Sequence, residues 1–600
     1  MIARLCNNYE FSFIYSFSRK NPISNDAGVQ FKRHMQNEFK HPGEVLRLLP
    51  YLIQEDRKKF IDDFQLYNND QRSEWWKKYA FLKNKQCEHN GLPVYYANKE
   101  MDEITAQPFL NYLIALALEY KDNTDNPVIF ENFNSIYSHL LDGVYNREYS
   151  PHRIIDSLDR DYFVLILKKI ALCTWHGNGR TTTTTKINDY IDNNELQRFI
   201  SSPSHKNVIS LLTIFYFRQT GRVIEGTETF EFTHKSFREY LVALEIIDAL
   251  TNIHAQLRLK ETDRLHDLGW NIDECLVAWL KIFGLQIPDA DLVKYIKNEL
   301  ILRESKSKGL LIEWQDTVIK LLGHVLEKGM PIERLYPRPT FKEENELKAE
   351  KAILIMHSLI AEITDKVSDI RTVEGISDIQ ISKKTTSFGE FIGRLVGQRI
   401  NHDVFILKFC NHIKINNAIL RITDLYGANL IKSDLRAADL RDANLSEASL
   451  NNANLSEANL NNAKLNKAYL NNANLHSADL SDSDLRDSDL READLRRSYL
   501  RRAIFERAFL CKADLSSAYM RKVKSRKANL TYANLSKANL HEADLREANL
   551  TYAKLIDADL SDAYLSGADL SGAVLRNCIG FNEEDAIKCS CIIDKKTRWS

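Results

Sequence analysis

From Leu425 to Leu575 an apolar residue returns at almost every fifth position, with Ala or Ser two places before it and polar residues between. A helix repeats its buried face every 3.6 residues and a strand every 2, so neither can keep a five-residue row on one side. A square coil can. If each unit makes one side and one corner, the Leu and the small residue point inward and the other three positions face solvent. Residues twenty apart then stack, and about 32 units give about eight coils, a rod roughly 40 Å long at the spacing of paired strands. Leu fills the axis, Ala leaves room beside it, and Asn or Asp favours tight turns by bonding nearby backbone. A filled axis has no room for a substrate, so the function of this half belongs on its surface or its ends.

The first 410 or so residues follow another rule: they are rich in Leu, Ile, Phe, Tyr and Lys with helical periodicity and few Gly or Pro. Helices are expected at 54–66, 129–145, 158–173, 186–200, 204–219, 234–250, 274–284, 289–304, 315–328 and 343–366. A further buried helix is expected after Thr105-Ala106-Gln107-Pro108, over Phe109 to Leu118. The exceptions are a short strand at 11–17 and a hairpin between Gly221 and Phe232 around Gly226. Pro331, Pro337 and Pro339 interrupt helix formation and mark a linker. Phe405, Cys410 and Ile415 already keep the five-residue phase, so degenerate sequence is expected to form the first coil and cap the rod.

At 600 residues the chain has length for about four domains, and 81 Lys and Arg against 82 Asp and Glu leave no global field for nucleic acid or for mimicry of it. No apolar run reaches bilayer length and no signal pattern follows Met1, so a cytosolic protein with reduced thiols is expected. Cys578, Cys589 and Cys591 lack the paired spacing of zinc ribbons and a fourth partner, so no metal is assigned. Searches for a His-Glu-x-x-His helix, a Cys-x-x-Cys pair, a Gly-x-Ser-x-Gly elbow and a kinase signature find nothing. No catalytic residue is assigned.

Units such as Ser-Glu-Ala-Asn-Leu (456–460), Asn-Asn-Ala-Asn-Leu (471–475) and Ser-Gly-Ala-Asp-Leu (566–570) resemble the pentapeptide-repeat family. That resemblance implies a right-handed quadrilateral parallel β-helix with four units per coil. A second resemblance lies upstream. Phe230-Glu231-Phe232-Thr233-His234-Lys235-Ser236-Phe237-Arg238-Glu239-Tyr240-Leu241-Val242-Ala243 is similar to an element of NACHT-type signal-transduction ATPases. In that family it lies in a winged-helix region whose His touches the terminal phosphate of ADP. Phe13 to Arg19 is similar to the strand ending in Ser-Arg of the same family, and Thr105 to Leu110 to the opening of its helical subdomain. The resemblance implies a vestigial nucleotide site at His234 and Arg19. The phosphate-cradling Gly-x-x-x-x-Gly-Lys-Ser/Thr is missing, and His176-Gly177-Asn178-Gly179-Arg180-Thr181, followed by Thr182 to Thr185, reads as a polar loop. ADP or ATP therefore enters only if another chain supplies that segment, and no cofactor is assigned.

One irregularity breaks the five-residue row, where Ser525 stands on the axis and Val523 at the small position, so a bulge or loosened corner is expected. Around it, twenty-residue stacking places Arg501 under Arg521, Arg502 under Lys522 and Arg507 under Lys527. Asp482, Asp487 and Glu492 lie beneath Arg502, Arg507 and Lys512 as stabilising neighbours. That leaves Arg521, Lys522, Lys524 and Lys527 as the unpaired members of a patch suited to an anionic partner. Over 416–577 the charge is balanced, 23 Lys and Arg against 22 Asp and Glu, which disfavours an acidic DNA mimic of the kind that engages gyrase.

The chain thus reads as multidomain: a mostly α-helical N-terminal part that includes a winged-helix-like region, then a parallel β-helix. The boundaries are 1–130 (NACHT-like remnant), 131–260 (winged-helix-like), 261–412 (helical linker domain), 413–577 (β-helix) and 578–600 (tail). The expected function is that of a non-enzymatic, cytosolic, bacterial interaction or sensor protein with a protein partner. The alternatives are an ATP/ADP switch completed by a second chain, and a gyrase- or nucleic-acid-related rod.

Overall fold

A computed structural model of the chain describes residues 15–16, 47–48, 72, 75–77, 132–146, 160–177, 181–183, 186, 217–219, 229–232, 235–263, 268–335, 342–369, 391–392, 408–415 and 417–599. The chain divides into two compact units, residues 1–167 with 191–216, and residues 168–190 with 217–600. Among the described residues no helix is long and apolar enough to cross a membrane.

In the first unit β1 (Tyr15–Ser16) pairs antiparallel with β2 (Arg47–Leu48), on the segment where a strand is expected. Helix α1 (Phe133–Asn146) starts where the Asn132 Oδ1 accepts the backbone N–H of Asn134 at 3.0 Å, and it buries Ile136, Tyr137 and Leu141. Helix α2 (Arg160–His176) opens with Arg160 Nε donating to Asp142 of α1 at 2.6 Å, and Phe163 packs 5.6 Å from Tyr145. The proposed helix from Thr105 to Leu118 lies outside the described residues.

The second unit contains a three-stranded antiparallel sheet of β3 (Thr181–Thr183), β4 (Phe217–Gln219) and β5 (Thr229–Phe232) in the order β3-β5-β4. Two expectations are corrected here. Thr181–Thr183 of the threonine run form a strand rather than a polar loop, in keeping with the preference of β-branched side chains for pleated backbone. Residues 217–219, placed at the end of a helix by periodicity, pair with β5 through Phe217 opposite Phe232. The hairpin before His234 therefore exists, with its first strand displaced upstream.

Helix α3 (Lys235–Thr262) runs past the expected end at 250 because Leu250, Ile253 and Leu257 continue its buried stripe. Ion pairs of Lys168 with Asp248 and of Lys169 with Glu245 join it to the end of α2. Around it pack α4 (Ile272–Phe283), α5 (Ala290–Lys306), α6 (Leu310–Lys328) and α7 (Lys342–Thr364). Local chemistry sets their ends: an Asn271–Glu274 capping box starts α4, Asp289 caps α5, and Gly329 at φ 79° closes α6. Trp279 and Trp314 are core residues, and the Trp279 indole donates to the Ala349 carbonyl at 3.0 Å. After α6 the Pro331 segment forms a short 3-10 turn (Ile332–Arg334) whose Ile332 is buried.

The bundle ends in a strand that begins the rod. Gln315 of α6 donates to the Lys366 carbonyl and the Ser368 hydroxyl, both at 2.7 Å, fixing β6 (Ser368–Asp369). β6 pairs in parallel with β7 (Ile413–Lys414), and Lys414 bridges to Asp434 one coil on. A solenoid edge that would otherwise stand open is thereby covered. Cys410 and Ile415 are buried as their phase predicts, and Phe405 lies outside the described residues.

From Lys414 to Ile579 each unit bridges in parallel to the residue twenty further on, which with five-residue units gives four sides per coil. The backbone donors are all accounted for in the repeating unit. The Leu475 N–H donates to the Asp494 carbonyl at 2.7 Å, that of Ser477 to Arg496 at 2.9 Å, that of Ala478 back to Leu475 at 3.0 Å, and that of Asp494 to Ala473 at 2.9 Å. The remaining N–H, just after the axis residue, is taken by the Asn or Asp side chain two positions before it, as Ser481 N–H to Asp479 Oδ1 at 2.9 Å. The second corner residue takes positive φ, as at Ser477 (56°), and the ladder bonds offset that strain. At the far end α8 (Glu583–Lys588) interrupts the coil, after which Ile592 pairs with Asp569 and Arg598 with Val574.

Candidate functional site

Ser525 is buried and the ladder passes through it unbroken, with its N–H 2.8 Å from the Asp544 carbonyl and Lys524 bridged to Asp544. The expected bulge is absent because the coil is held by backbone bonds that do not depend on the axis side chain. Phe505, fully buried, occupies the same axis column one coil earlier. The basic patch therefore sits on regular coil and its register can be read directly.

Between Arg496 and Lys527 stand 11 Lys and Arg against two acids, Glu506 and Asp514. Flanking coils supply the counter-charges. Arg502 donates to Asp482 at 2.5 and 2.6 Å, Arg507 to Asp487 at 2.7 Å through both nitrogens, and Lys512 lies 3.1 Å from Glu492, all as the stacking predicts. Arg496 folds back onto Asp494 at 2.6 Å. The following coil departs from expectation. Glu542 pairs with both Arg521 (2.9 Å) and Lys522 (3.0 Å), while Glu547 pairs with Arg526 and with Lys527 at 3.4 Å. The two cations hold the Glu542 carboxyl down to about 2. Of the four residues expected to be unpaired, only Lys524 has a side chain with no hydrogen bond or ion pair among the described residues; the side chains of Arg497 and Arg501 share that state.

The turn-holding Asn or Asp is abandoned in this same stretch. The five such positions before it (Asn474, Asp479, Asp484, Asp489, Asp494) and the five after it (Asn529, Asn534, Asn539, Asp544, Asn549) are all Asn or Asp. Between them stand Tyr499, Ile504, Phe509, Asp514, Tyr519 and Lys524, five of six departing from the rule. Tyr499 and Tyr519 are 50% and 52% exposed and stack with centroids 5.0 Å apart at 8°. No period or charge count points to this substitution; only alignment of the coils in register exposes it.

His234 and Arg19 lie outside the described residues, and the site implied for them has no geometry to report. Nearby, Glu239, Asp289 and Asp291 converge closely enough to hold a cation, and the Lys235 ammonium occupies the place, 2.6 Å from Asp291, 3.1 Å from Glu239 and 3.7 Å from Asp289. Burial raises the Glu239 carboxyl, while Lys235 holds Asp291 low. Cys578 and Cys591 each donate to a backbone carbonyl, of Leu555 at 2.9 Å and of Leu565 at 3.2 Å, and burial pushes both thiols up to about 11, away from the thiolate a metal would need.

The pentapeptide repeats family matches the chain in eight overlapping stretches, 418–456, 438–476, 453–491, 478–516, 493–524, 512–546, 526–562 and 543–579, and implies the right-handed β-helix. Among solved structures, the chain is similar to a trypsin-treated variant of QnrB1, a plasmid-mediated fluoroquinolone resistance protein. Identity is 19% over 30% of this chain and 91% of that one, with a TM-score of 0.23. HetL, a pentapeptide repeat protein involved in heterocyst differentiation regulation from the cyanobacterium Nostoc sp. strain PCC 7120, is 29% identical over 28% and 87% of the two chains, TM-score 0.13. The pentapeptide repeat protein alr5209 from Nostoc PCC 7120 is 34% identical over 18% and 84%, TM-score 0.16. No curated protein matches the chain.

Proposed function

We propose, on the premise that residues 418–579 belong to the pentapeptide-repeat family, that this chain is a non-enzymatic interaction protein whose rod recognises a protein partner through its outer faces. The observation that carries this reading is the filled axis. Leu and Ala side chains are buried in coil after coil, so the only chemistry the rod presents is on its surface. The N-terminal half is read as the distal part of a NACHT-type signalling module lacking its phosphate-binding segments. Its support is that Phe230–Phe232 falls on β5 of the small antiparallel sheet and Lys235–Ala243 on the start of α3. The same segment favours a second reading, a nucleotide-dependent switch completed by another chain.

The test is a photo-crosslinking amino acid placed in cells at exposed positions on different faces, Tyr469, Tyr519, Tyr532 and Tyr564. Protein adducts from one or more rod faces are expected. Adducts confined to bundle positions such as Leu268 and Leu285, with none from the rod, would refute the reading. Phosphate release from ATP and Mg²⁺ by the purified chain, lost on changing His234, would overturn the non-enzymatic reading.

A further inference from the structure

We infer that the ridge formed by residues 497–504 and 519–524 binds an acidic segment of a partner protein, carboxylates meeting Arg497, Arg501 and Lys524 and an apolar side chain lying on the Tyr499/Tyr519 stack. The inference deepens the protein-recognition reading and rests on it.

Three independent features meet at this one place. The first is the loss of the Asx ladder. At Tyr499 and Tyr519 the coil gives up the side-chain acceptor with which Asn or Asp takes the N–H two residues on in the five units before the belt and the five after it, and sets a large exposed ring there instead. The exchange leaves the turn less firmly held, and an outward ring adds nothing to an axis that Leu500 and Met520 already fill. The second is the distribution of partners. Eight of the 11 cations in the belt are neutralised by Asp482, Asp487, Glu492, Asp494, Glu542 and Glu547. The three whose side chains make no hydrogen bond or ion pair among the described residues, Arg497, Arg501 and Lys524, lie on the corners that bound the tyrosine side and on the side next to it. The third is the amphipathic platform itself: two parallel rings with a polar tip and an apolar body, of the kind enriched in protein interfaces.

Charge complementarity fixes the sign of the occupant, and its spacing fixes the class. A nucleic-acid backbone needs a continuous row of free cations, and along this ridge it would meet Asp482 on one side of the belt and Glu542 on the other. Isolated guanidinium groups beside an aromatic pair instead suit discrete carboxylates separated by an apolar residue, since Arg takes a carboxylate bidentately. The pairing of the remaining cations narrows the ridge to those three contacts and penalises partners with a longer anionic run.

The experiment is fluorescence anisotropy of the full chain with a labelled short peptide of repeated Glu-Glu-Leu, its Gln-Gln-Leu counterpart, and an oligothymidylate of equal length. Binding of the Glu peptide is expected, weakening with salt on a slope set by about three ion contacts. It should fall about tenfold or more in Arg497→Glu/Arg501→Glu and in Tyr499→Ala/Tyr519→Ala. Lys554→Glu, at an exposed position on another side of the rod, should leave it unchanged. All of these side chains are exposed, and an unaltered thermal midpoint checks that each variant is folded. No binding of the Glu peptide, binding indifferent to both double variants, or tighter binding of the oligothymidylate would each overturn the proposal. Rod-face crosslinks elsewhere would survive those outcomes, which separates the failure of this site from the failure of the protein-recognition reading.

Discussion

Replacing Ser525 by Ala should stabilise the rod, although it deletes a polar atom from a core of repeating apolar residues. Ser525 is 1% exposed, and its hydroxyl is without a hydrogen-bond partner among the described residues. The other inward serines stand at the small position and behave differently. Ser483, Ser488 and Ser498 donate at 2.6 Å to the carbonyls of Leu480, Leu485 and Leu495. A buried hydroxyl without a partner costs roughly 1–3 kcal/mol, whereas a satisfied one contributes about 1 kcal/mol. Ser525→Ala keeps the β-carbon and removes the orphan oxygen, so a gain of about 1 kcal/mol or more is expected. Ser483→Ala should lose up to about 1 kcal/mol. For a domain of this size each kcal/mol moves the melting midpoint by about 2–4 °C, so the two variants should move in opposite directions in a thermal melt followed by far-ultraviolet circular dichroism. A fall in both, or a fall in Ser525→Ala alone, would refute the reasoning that position in the unit decides whether a serine is satisfied.

Leu475→Asp should lose several kcal/mol or fail to fold, because it sets an unpaired charge on the axis; a melt within a degree of the parent would contradict the inward register. His357 is fully buried with neither ring nitrogen bonded, and burial, reinforced by His412, pushes it down to about 3. The unfolded ring takes a proton below about 6.5, so its neutral form stops costing stability only above that pH; between there and 3 stability should fall as pH falls, by about 2 kcal/mol at pH 5. Chemical denaturation of His357→Leu across that range should show a shallower decline, and an identical slope would count against the assignment. Glu542→Gln should release Arg521 and Lys522, and thus strengthen binding of an acidic peptide and steepen its salt dependence; unchanged binding would show that these two cations do not face the ligand.

The rod was legible because one period decides everything in it: once Leu returns every fifth residue, inward positions, corners and the Asp482–Arg502 type of pair follow from stacking alone. What the reading missed at Arg521, Lys522 and Lys527 was the coil on the other side, where Glu542 stacks on Lys522 and Glu547 on Lys527 in the same columns and Glu542 also reaches diagonally to Arg521. The bulge expected at Ser525 was a misreading of cause, since the side chain fills the coil and the backbone ladder holds it. In the first half no such rule applies. Thr181–Thr183 and Phe217–Gln219 both pair with Thr229–Phe232, which lies between them, and a pairing of that sort joins segments too far apart for any local period to reveal. The Tyr499/Tyr519 ridge carries no motif at all and emerges only when coils are compared position by position.

The most direct measurement of the central claim, that this belt sacrifices coil stability for a recognition surface, is the double variant Tyr499→Asn/Tyr519→Asn. Asn at both positions restores the acceptor for the N–H groups of Arg501 and Arg521 that Asn and Asp provide in neighbouring coils, as in Thr531 N–H to Asn529 at 3.2 Å. The account predicts a raised melting midpoint together with loss of acidic-peptide binding. A lowered midpoint with binding intact would contradict it.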